Sequence, residues 1–184
     1  MDIQYYRTFI GIPVLAGKEL LKVRVNLMNS LAGERISWVD PERYHVTLRF
    51  VGETDVSKIT HITESLSQEI LVLPPSRIQL TRPESFGPKQ YPRVIWVGFH
   101  QSELFRILKA DVDRALEKCG IPLVDQPFRA HLTLGRVRKL ENLPMYYEAL
   151  ERMKNQLSES VLIDRVVFYR SVPGEGEPVY TTLH

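Results

Sequence analysis

The stretch HVTLRF at residues 45–50 recurs as HLTLGR at residues 131–136, 86 positions further along the chain. Each copy places a histidine and a threonine two residues apart and follows them with a leucine. A shift of the whole chain by the same distance also aligns the apolar run at 7–12 with the run at 93–98. Self-similarity at a fixed spacing indicates an internal repeat.

The repeat predicts two similar halves, roughly residues 7–82 and 93–169, within one bilobal domain that spans 1–184. Each half has the same predicted order: strand, helix, His-x-Thr-Leu strand, helix, strand. The helices are predicted at 14–31, 54–70, 102–120 and 141–157, and the closing strands at 76–82 and 161–169. Ser102 and Gly120 are typical N-cap and C-cap residues. We therefore expect two α+β lobes related by a pseudo-two-fold axis, which would bring the two motifs to a shared centre.

The composition is that of an ordinary globular chain. The 184 residues are 43% hydrophobic and 25% charged, with a net charge of +2. No apolar run is long enough to span a bilayer, and the N-terminal residues lack the pattern of a signal peptide. Cys119 is the single cysteine and is expected to be a small buried residue rather than a nucleophile. These features predict a cytoplasmic protein with no membrane partner.

Strand alternation assigns the side chains of the first motif to two faces. His45, Thr47 and Arg49 share one face, while the residues between them and Phe50 point into the core. The second motif follows the same pattern. Each strand therefore presents an imidazole and a hydroxyl side by side, which is a compact unit for holding a phosphate.

Two such units facing each other suit in-line attack on a cyclic phosphate. One histidine takes a proton from water, and the other protonates the departing oxygen. Thr47 and Thr133 would donate hydrogen bonds to the phosphate oxygens. The scheme requires no metal or other cofactor, and no Asp, Glu or Cys stands near the histidines at metal-ligand spacing. A single His-x-Thr in a strand usually has no function, but two copies in register favour catalysis.

The chain resembles the RNA 2′,3′-cyclic phosphodiesterases, also called 2′-5′ RNA ligases, of the two-histidine phosphoesterases. Both His-x-Thr-x motifs match, and the similarity covers nearly the whole chain. The surrounding segments that match are 7–13, 38–39, 49–53, 86–87, 92–96, Phe128 and 135–136. Gly135 departs from the small residue, often alanine, that precedes the arginine in the family.

The resemblance implies a bilobal fold in which antiparallel sheets, with helices on their outer faces, line a central cleft. It implies hydrolysis of RNA 2′,3′-cyclic phosphate ends to a 2′-phosphomonoester, with possible joining of 2′-5′ linkages. By the same resemblance His45 is the proton donor and His131 the acceptor, although the nearly symmetric sequence alone assigns neither role. A monomer is expected, because one chain supplies both halves of the site and needs no obligate protein partner.

Other residues are candidates for binding substrate. Arg49 and Arg136 could contact phosphate, and Phe86 and Tyr91 could stack on a terminal base. A wider basic set flanks the motifs and could hold an RNA backbone: Arg43, Arg49, Lys89, Arg93, Arg129, Arg136, Arg138 and Lys139. For each of these residues, an ordinary surface or packing role is the alternative.

Two further functions are compatible with the sequence. The same chemistry could act on a nucleotide-sized cyclic phosphate, such as an ADP-ribose cyclic phosphate, in keeping with the modest net charge. Alternatively, the protein could be a non-catalytic module that binds RNA ends. A pure binding module has no need of two proton-transfer groups, which favours the enzyme.

Overall fold

The structure, a computed structural model, describes residues 4–70, 73–101, 103–124, 126–174 and 178–184. Nine strands and four α-helices follow one another in these ranges. In chain order they are β1 (Tyr5–Pro13), α1 (Lys18–Ser30), β2 (Arg35–Trp38), β3 (His45–Asp55), α2 (Ile59–Glu69), β4 (Ser76–Phe86), β5 (Val94–Phe99), α3 (Glu103–Lys118), β6 (Leu132–Lys139), α4 (Leu143–Arg152), β7 (Ser160–Ile163), β8 (Val167–Val172) and β9 (Val179–Thr182). None of the helices in the described ranges is long and apolar enough to cross a membrane.

The strands form two sheets with antiparallel pairing throughout. Sheet 1 has the strand order β3-β1-β8-β9, and sheet 2 has the order β2-β6-β5-β4-β7. The predicted α+β fold with two antiparallel sheets is confirmed. Each half of the sequence contributes one His-x-Thr strand, so β3 lies in sheet 1 and β6 lies in sheet 2.

The two sheets do not coincide with the two halves of the chain, because the last strand of each half joins the sheet of the other half. β8 pairs with β1 in sheet 1, and β4 pairs with β5 in sheet 2. The order β3-β1-β8 in one sheet therefore corresponds to β6-β5-β4 in the other. This exchange ties the two halves together and sets their motif strands in matching positions.

Each helix of the first half packs beside a helix of the second half. α2 packs against α3, and α3 packs on β3, so these two helices cover sheet 1. α1 packs beside α4, whose Tyr146 meets Ser85 of β4 through a 2.9 Å hydrogen bond between the hydroxyls. The α3 helix buries one apolar stripe, as its spacing predicts: Phe105, Leu108, Val112, Ala115 and Leu116. Buried Cys119 follows this helix, and Gly120 ends it with a φ of +73°.

The prediction of a single closing strand over 161–169 is wrong. This segment consists of β7, which pairs with β4 in sheet 2, and β8, which pairs with β1 in sheet 1. The chain crosses between the sheets at 164–166, where Asp164 and Arg165 form an ion pair of 3.3 Å. Polar residues in the middle of a β-prone run mark this crossing.

The predicted helix boundaries also need correction. α1 begins at Lys18 rather than at residue 14, because Val14 still donates a backbone hydrogen bond of 2.8 Å to Tyr44. α4 is shorter than predicted, and the Asn142 side chain caps its start. Ser102, the predicted cap of the third helix, lies outside the described residues. The short strands β2 and β9 were not predicted from the sequence.

Glu159 joins the second half of the chain to the first. Its carboxylate accepts hydrogen bonds from the backbone N–H groups of Gly17, Glu19 and Leu20 at 2.8, 2.9 and 3.2 Å. These groups lie at the start of α1, where the helix itself provides no acceptors and where negative charge is favourable. A side chain at Gly17 would lie 2.6 Å from the carboxylate, so the glycine permits this close approach.

Replacing Glu159 with alanine should lower the free energy of unfolding by about 1–2 kcal/mol, the range for loss of a helix cap. Urea denaturation followed by circular dichroism measures this change. Glu151→Ala, which removes an exposed glutamate from α4, is the control and should change the free energy of unfolding little. Equal effects of the two substitutions would contradict a capping role for Glu159.

Candidate active site

Matching irregularities in β3 and β6 decide which side chains face the centre of the molecule. The pairing of β1 with β3 skips Leu48, and the pairing of β5 with β6 skips Leu134. These residues are 86 positions apart, so both strands carry the extra residue of a β-bulge at the same point of the repeat. After each bulge the alternation of side chains shifts by one residue.

A cleft of about 1010 Å³ lies between the motif strands. The four residues of the predicted acid–base and phosphate-donor set, His45, Thr47, His131 and Thr133, all line it. No hydrogen bond from the described residues engages either threonine hydroxyl, so both are available to a ligand. Arg136, a predicted phosphate contact, lines the same cleft and is exposed.

The two histidines are held in the same way. The Nδ1 atom of His45 lies 2.8 Å from the carbonyl oxygen of Arg43, and that of His131 lies 2.8 Å from the carbonyl oxygen of Arg129. A carbonyl oxygen only accepts hydrogen bonds, so each Nδ1 carries the proton and donates it. The neutral rings therefore keep the lone pair on Nε2, where it can take a proton from a ligand in the cleft.

Aromatic side chains fix the orientation of both imidazoles. The ring centroid of His45 lies 5.0 Å from that of Phe9 and 5.3 Å, edge-on, from that of Tyr180. The ring of His131 meets Phe86 edge-on at 4.9 Å. Phe86, a predicted base-stacking residue, is not among the residues that line the cleft. It instead stacks on Trp96 with a centroid distance of 4.4 Å and so supports His131 from behind.

The surroundings lower the pKa of both histidines below the ordinary value of 6.5. For His45, burial has the largest effect, and the nearby charges of Arg136 and His131 lower the pKa further. For His131, burial again leads, and the charges of Arg136 and Arg129 add to it. The hydrogen bond to the backbone carbonyl opposes these effects in each case. Both imidazoles are therefore mainly neutral at pH 7.

Positive charge dominates the cleft. Its described lining includes no carboxylate and has seven cationic side chains: Arg7, Arg43, Arg49, Lys109, Arg129, Arg136 and Arg138. The whole chain carries a formal net charge of only +2, so positive charge is concentrated here. Such a surface attracts a polyanion and makes its binding sensitive to salt.

Arg49 and Phe50 differ from the alternation expected for their strand. Phe50, predicted in the core, has 69% of its surface exposed and lines the cleft. Arg49 has only 7% exposed; its guanidinium donates a 2.7 Å hydrogen bond to the carbonyl of Pro122 and lies 3.8 Å from Asp113. The bulge at Leu48 explains this result, because it places Phe50 rather than Arg49 in register with Thr47.

Several residues of the cleft could not be predicted from the sequence. Arg7 and Lys109 line it from β1 and α3, and Tyr180 of β9 flanks His45. Only the tertiary packing of strands and helices brings these residues to the motifs. Within the described ranges, no group of three or more His, Cys, Asp or Glu residues is placed to hold a metal ion.

The chain combines this two-sheet fold with a matching pair of imidazoles in one cleft. The family model of the 2′-5′ RNA ligase superfamily matches residues 24–175, and the chain belongs to that family.

A curated relative, an RNA 2′,3′-cyclic phosphodiesterase of Aeropyrum pernix, is 32% identical over 162 residues, which cover 86% of this chain and 90% of the relative. This relationship places the chain among the hydrolases.

Solved structures share the fold. A crystal structure from Thermus thermophilus has a TM-score of 0.76 and 22% identity, covering 97% of this chain and 95% of its own. The crystal structure of Escherichia coli LigT in complex with 3′-AMP has a TM-score of 0.69 and 19% identity, covering 98% and 97%. Both alignments span nearly the whole molecule, so the two-sheet architecture is common to all three proteins.

Arg136→Gln should raise the pKa of both His45 and His131, because it removes a positive charge that disfavours each imidazolium. NMR titration of the imidazole signals measures the two values in the wild type and in the variant. Arg152→Gln, which removes an exposed arginine from α4, is the control. A shift in only one histidine, or in neither, would contradict the placement of Arg136 beside both.

Proposed function

We propose that this protein hydrolyses RNA 2′,3′-cyclic phosphate ends to 2′-phosphomonoesters by acid–base catalysis with two histidines. The main support is the matching pair of imidazoles, each with Nδ1 bonded to a backbone carbonyl and Nε2 free in a cationic cleft. The name of the Aeropyrum pernix relative favours the same reaction. Cyclic phosphates are anionic, which suits the charge of the cleft.

The reaction follows an in-line path with balanced proton transfers. Nε2 of neutral His131 takes a proton from water as the water oxygen bonds to phosphorus. The bond from phosphorus to O3′ breaks, and protonated His45 gives its proton to O3′. The product is a 2′-phosphate beside a free 3′-hydroxyl. His45 is left neutral and His131 protonated, and exchange with solvent restores the starting state.

Burial lowers the pKa of both histidines most, and nearby positive charges lower each further. Arg129 is a second cation that lowers the pKa of His131, and so favours the neutral form that a base requires. Besides Arg136, the charge that lowers the pKa of His45 is that of His131 itself. A bound phosphate would offset these cations and raise the pKa of both imidazoles, which brings His45 closer to the protonated form that an acid requires.

Thr47, Thr133 and Arg136 bind the non-bridging phosphate oxygens in this scheme. The threonine hydroxyls have no described hydrogen-bond partner, and Arg136 makes no ion pair with a described residue. Donors aimed at developing negative charge contribute about 3 kcal/mol each in comparable sites. Arg49 and Phe86 act indirectly, since Arg49 fastens Pro122 to β3 and Phe86 supports the ring of His131.

The same two histidines can catalyse a ligation. If the 5′-hydroxyl of another RNA replaces water, His131 takes its proton and its oxygen bonds to phosphorus. Departure of O3′, protonated by His45, then leaves a 2′-5′ linkage. One chain supplies both histidines and both threonines, so we take the monomer, with no cofactor and no protein partner, as the catalytic unit.

The test is turnover, with EDTA present, of a short RNA that ends in a 2′,3′-cyclic phosphate. The wild type should produce a 2′-phosphate end, and His45→Ala or His131→Ala should each reduce the rate by about 10²–10⁴. His61→Ala, which removes an exposed histidine from α2, should leave the rate unchanged. Chromatography against synthetic 2′- and 3′-phosphate standards identifies the product.

Full activity in either motif variant would refute the two-histidine mechanism. Activity that EDTA abolishes would indicate that the reaction needs a metal. Tight binding of the RNA end by a wild type that does not turn it over would instead favour a non-catalytic binding module.

A further inference from the structure

A ladder of functional side chains faces the cleft along β6 and the residues that precede it. Arg129, His131, Thr133, Arg136 and Arg138 all line the cleft. They occur at every second position except at the Leu134 bulge, where three positions separate Thr133 from Arg136. The ladder therefore continues beyond the groups that the proposed reaction uses and ends in a second arginine, Arg138.

The corresponding ladder of the first half ends differently. Its members Arg43, His45 and Thr47 match the second half, but Phe50 stands where the repeat has Arg136, and Gly52 stands where it has Arg138. The fold therefore accepts other residues at these two positions. The pair of arginines is a feature of the β6 wall alone.

A hydrogen bond holds Arg138 in place, and its terminal amino groups can still bind a ligand. Its Nε donates a 3.1 Å hydrogen bond to the Ser37 hydroxyl of β2, and the residue is exposed. It makes no ion pair within the described ranges, so its two terminal amino groups remain available. By contrast, Arg129 pairs with Glu84 at 3.2 Å, and Lys109 pairs with Asp113. Planar guanidinium groups bind phosphates through two parallel hydrogen bonds.

The spacing suits a nucleotide chain. Two residues that alternate on a strand are separated by about 6.5–7 Å along it. That separation is close to the distance between neighbouring phosphates of an RNA strand. Arg136 is assigned to the reacting phosphate, and Arg138, two residues further along the same cleft wall, is therefore the candidate for the next phosphate.

We propose that Arg138 binds the phosphate that joins the terminal nucleotide to the rest of the RNA, so that the enzyme prefers chain ends to free cyclic mononucleotides. This inference rests on the proposed function, because it takes the reacting cyclic phosphate to lie at His45, His131 and Arg136. It adds a second phosphate site and a substrate class, a polynucleotide with at least two residues.

The test compares adenosine 2′,3′-cyclic phosphate with the dinucleotide ApA that ends in the same cyclic phosphate. The wild type should show a kcat/KM about tenfold or more higher for the dinucleotide, as expected for one charge-assisted contact. A dinucleotide whose linking phosphate is replaced by a neutral methylphosphonate should lose this advantage. That substrate tests the contact without altering the protein.

Arg138→Gln should bring the ratio of the two kcat/KM values close to one. The variant should also have the same kcat/KM for the phosphate-linked and the methylphosphonate-linked dinucleotide. The salt dependence of dinucleotide binding should fall in slope by about one. Arg152→Gln on α4 removes the same charge from an exposed position outside the cleft and should preserve the ratio. Thermal unfolding of both variants verifies that each is folded.

A wild type that turns over both substrates equally, or an Arg138→Gln variant that keeps the full preference, would overturn this inference and leave the proposed function intact. Failure of the wild type to turn over either substrate would overturn the proposed function itself. A preference that survives Arg138→Gln but disappears with the methylphosphonate would assign the phosphate contact to another cation.

Discussion

The site depends on the exchange of strands between the two halves of the chain. Each half starts its own sheet with a pair of strands, β1 with β3 or β5 with β6, and the other half supplies the next strand. Because β8 and β4 cross over, neither sheet is complete without both halves. The exchange sets the two motif strands in equivalent positions, and the cleft lies between them. Glu159 strengthens the connection by capping α1 from across the molecule.

Cationic side chains give the cleft two linked properties. They attract a phosphate, and they hold the pKa of both histidines below the ordinary value while the cleft is empty. A bound anion offsets that charge and makes protonation of one imidazole easier. In the proposed reaction, substrate binding thus helps to create the acid. The backbone carbonyls of Arg43 and Arg129 keep the tautomers fixed, so that only Nε2 changes its protonation state.

Much of the fold followed from the sequence because the repeat is regular. The order of elements, the apolar stripe of α3 and its end at Gly120 follow from local spacing and capping. The β-bulges could not be predicted from the sequence, since an extra residue in one strand depends on its pairing with the partner strand. Phe50 was therefore assigned to the core and Arg49 to the cleft face, whereas the structure exposes Phe50 and buries Arg49.

Other features depend on contacts between distant segments. The crossing at 164–166 divides one β-prone run between two sheets, and no local pattern states which sheet each part joins. Arg7, Lys109 and Tyr180 reach the cleft from three different elements. The paired motifs themselves were visible in the sequence. Their tautomers and the cationic surroundings that lower their pKa required the structure.

In the proposed mechanism the two histidines carry opposite proton-transfer roles at one phosphate. The pH dependence of kcat/KM in the wild type and in the residual activity of each single variant tests it most directly. The wild type should give a bell-shaped profile with both limbs below pH 6.5, because kcat/KM reports the free enzyme, in which the pKa of both imidazoles is lowered. His131→Ala should lose the acid limb, and His45→Ala should lose the alkaline limb. Loss of the same limb in both variants would contradict opposite roles for the two histidines.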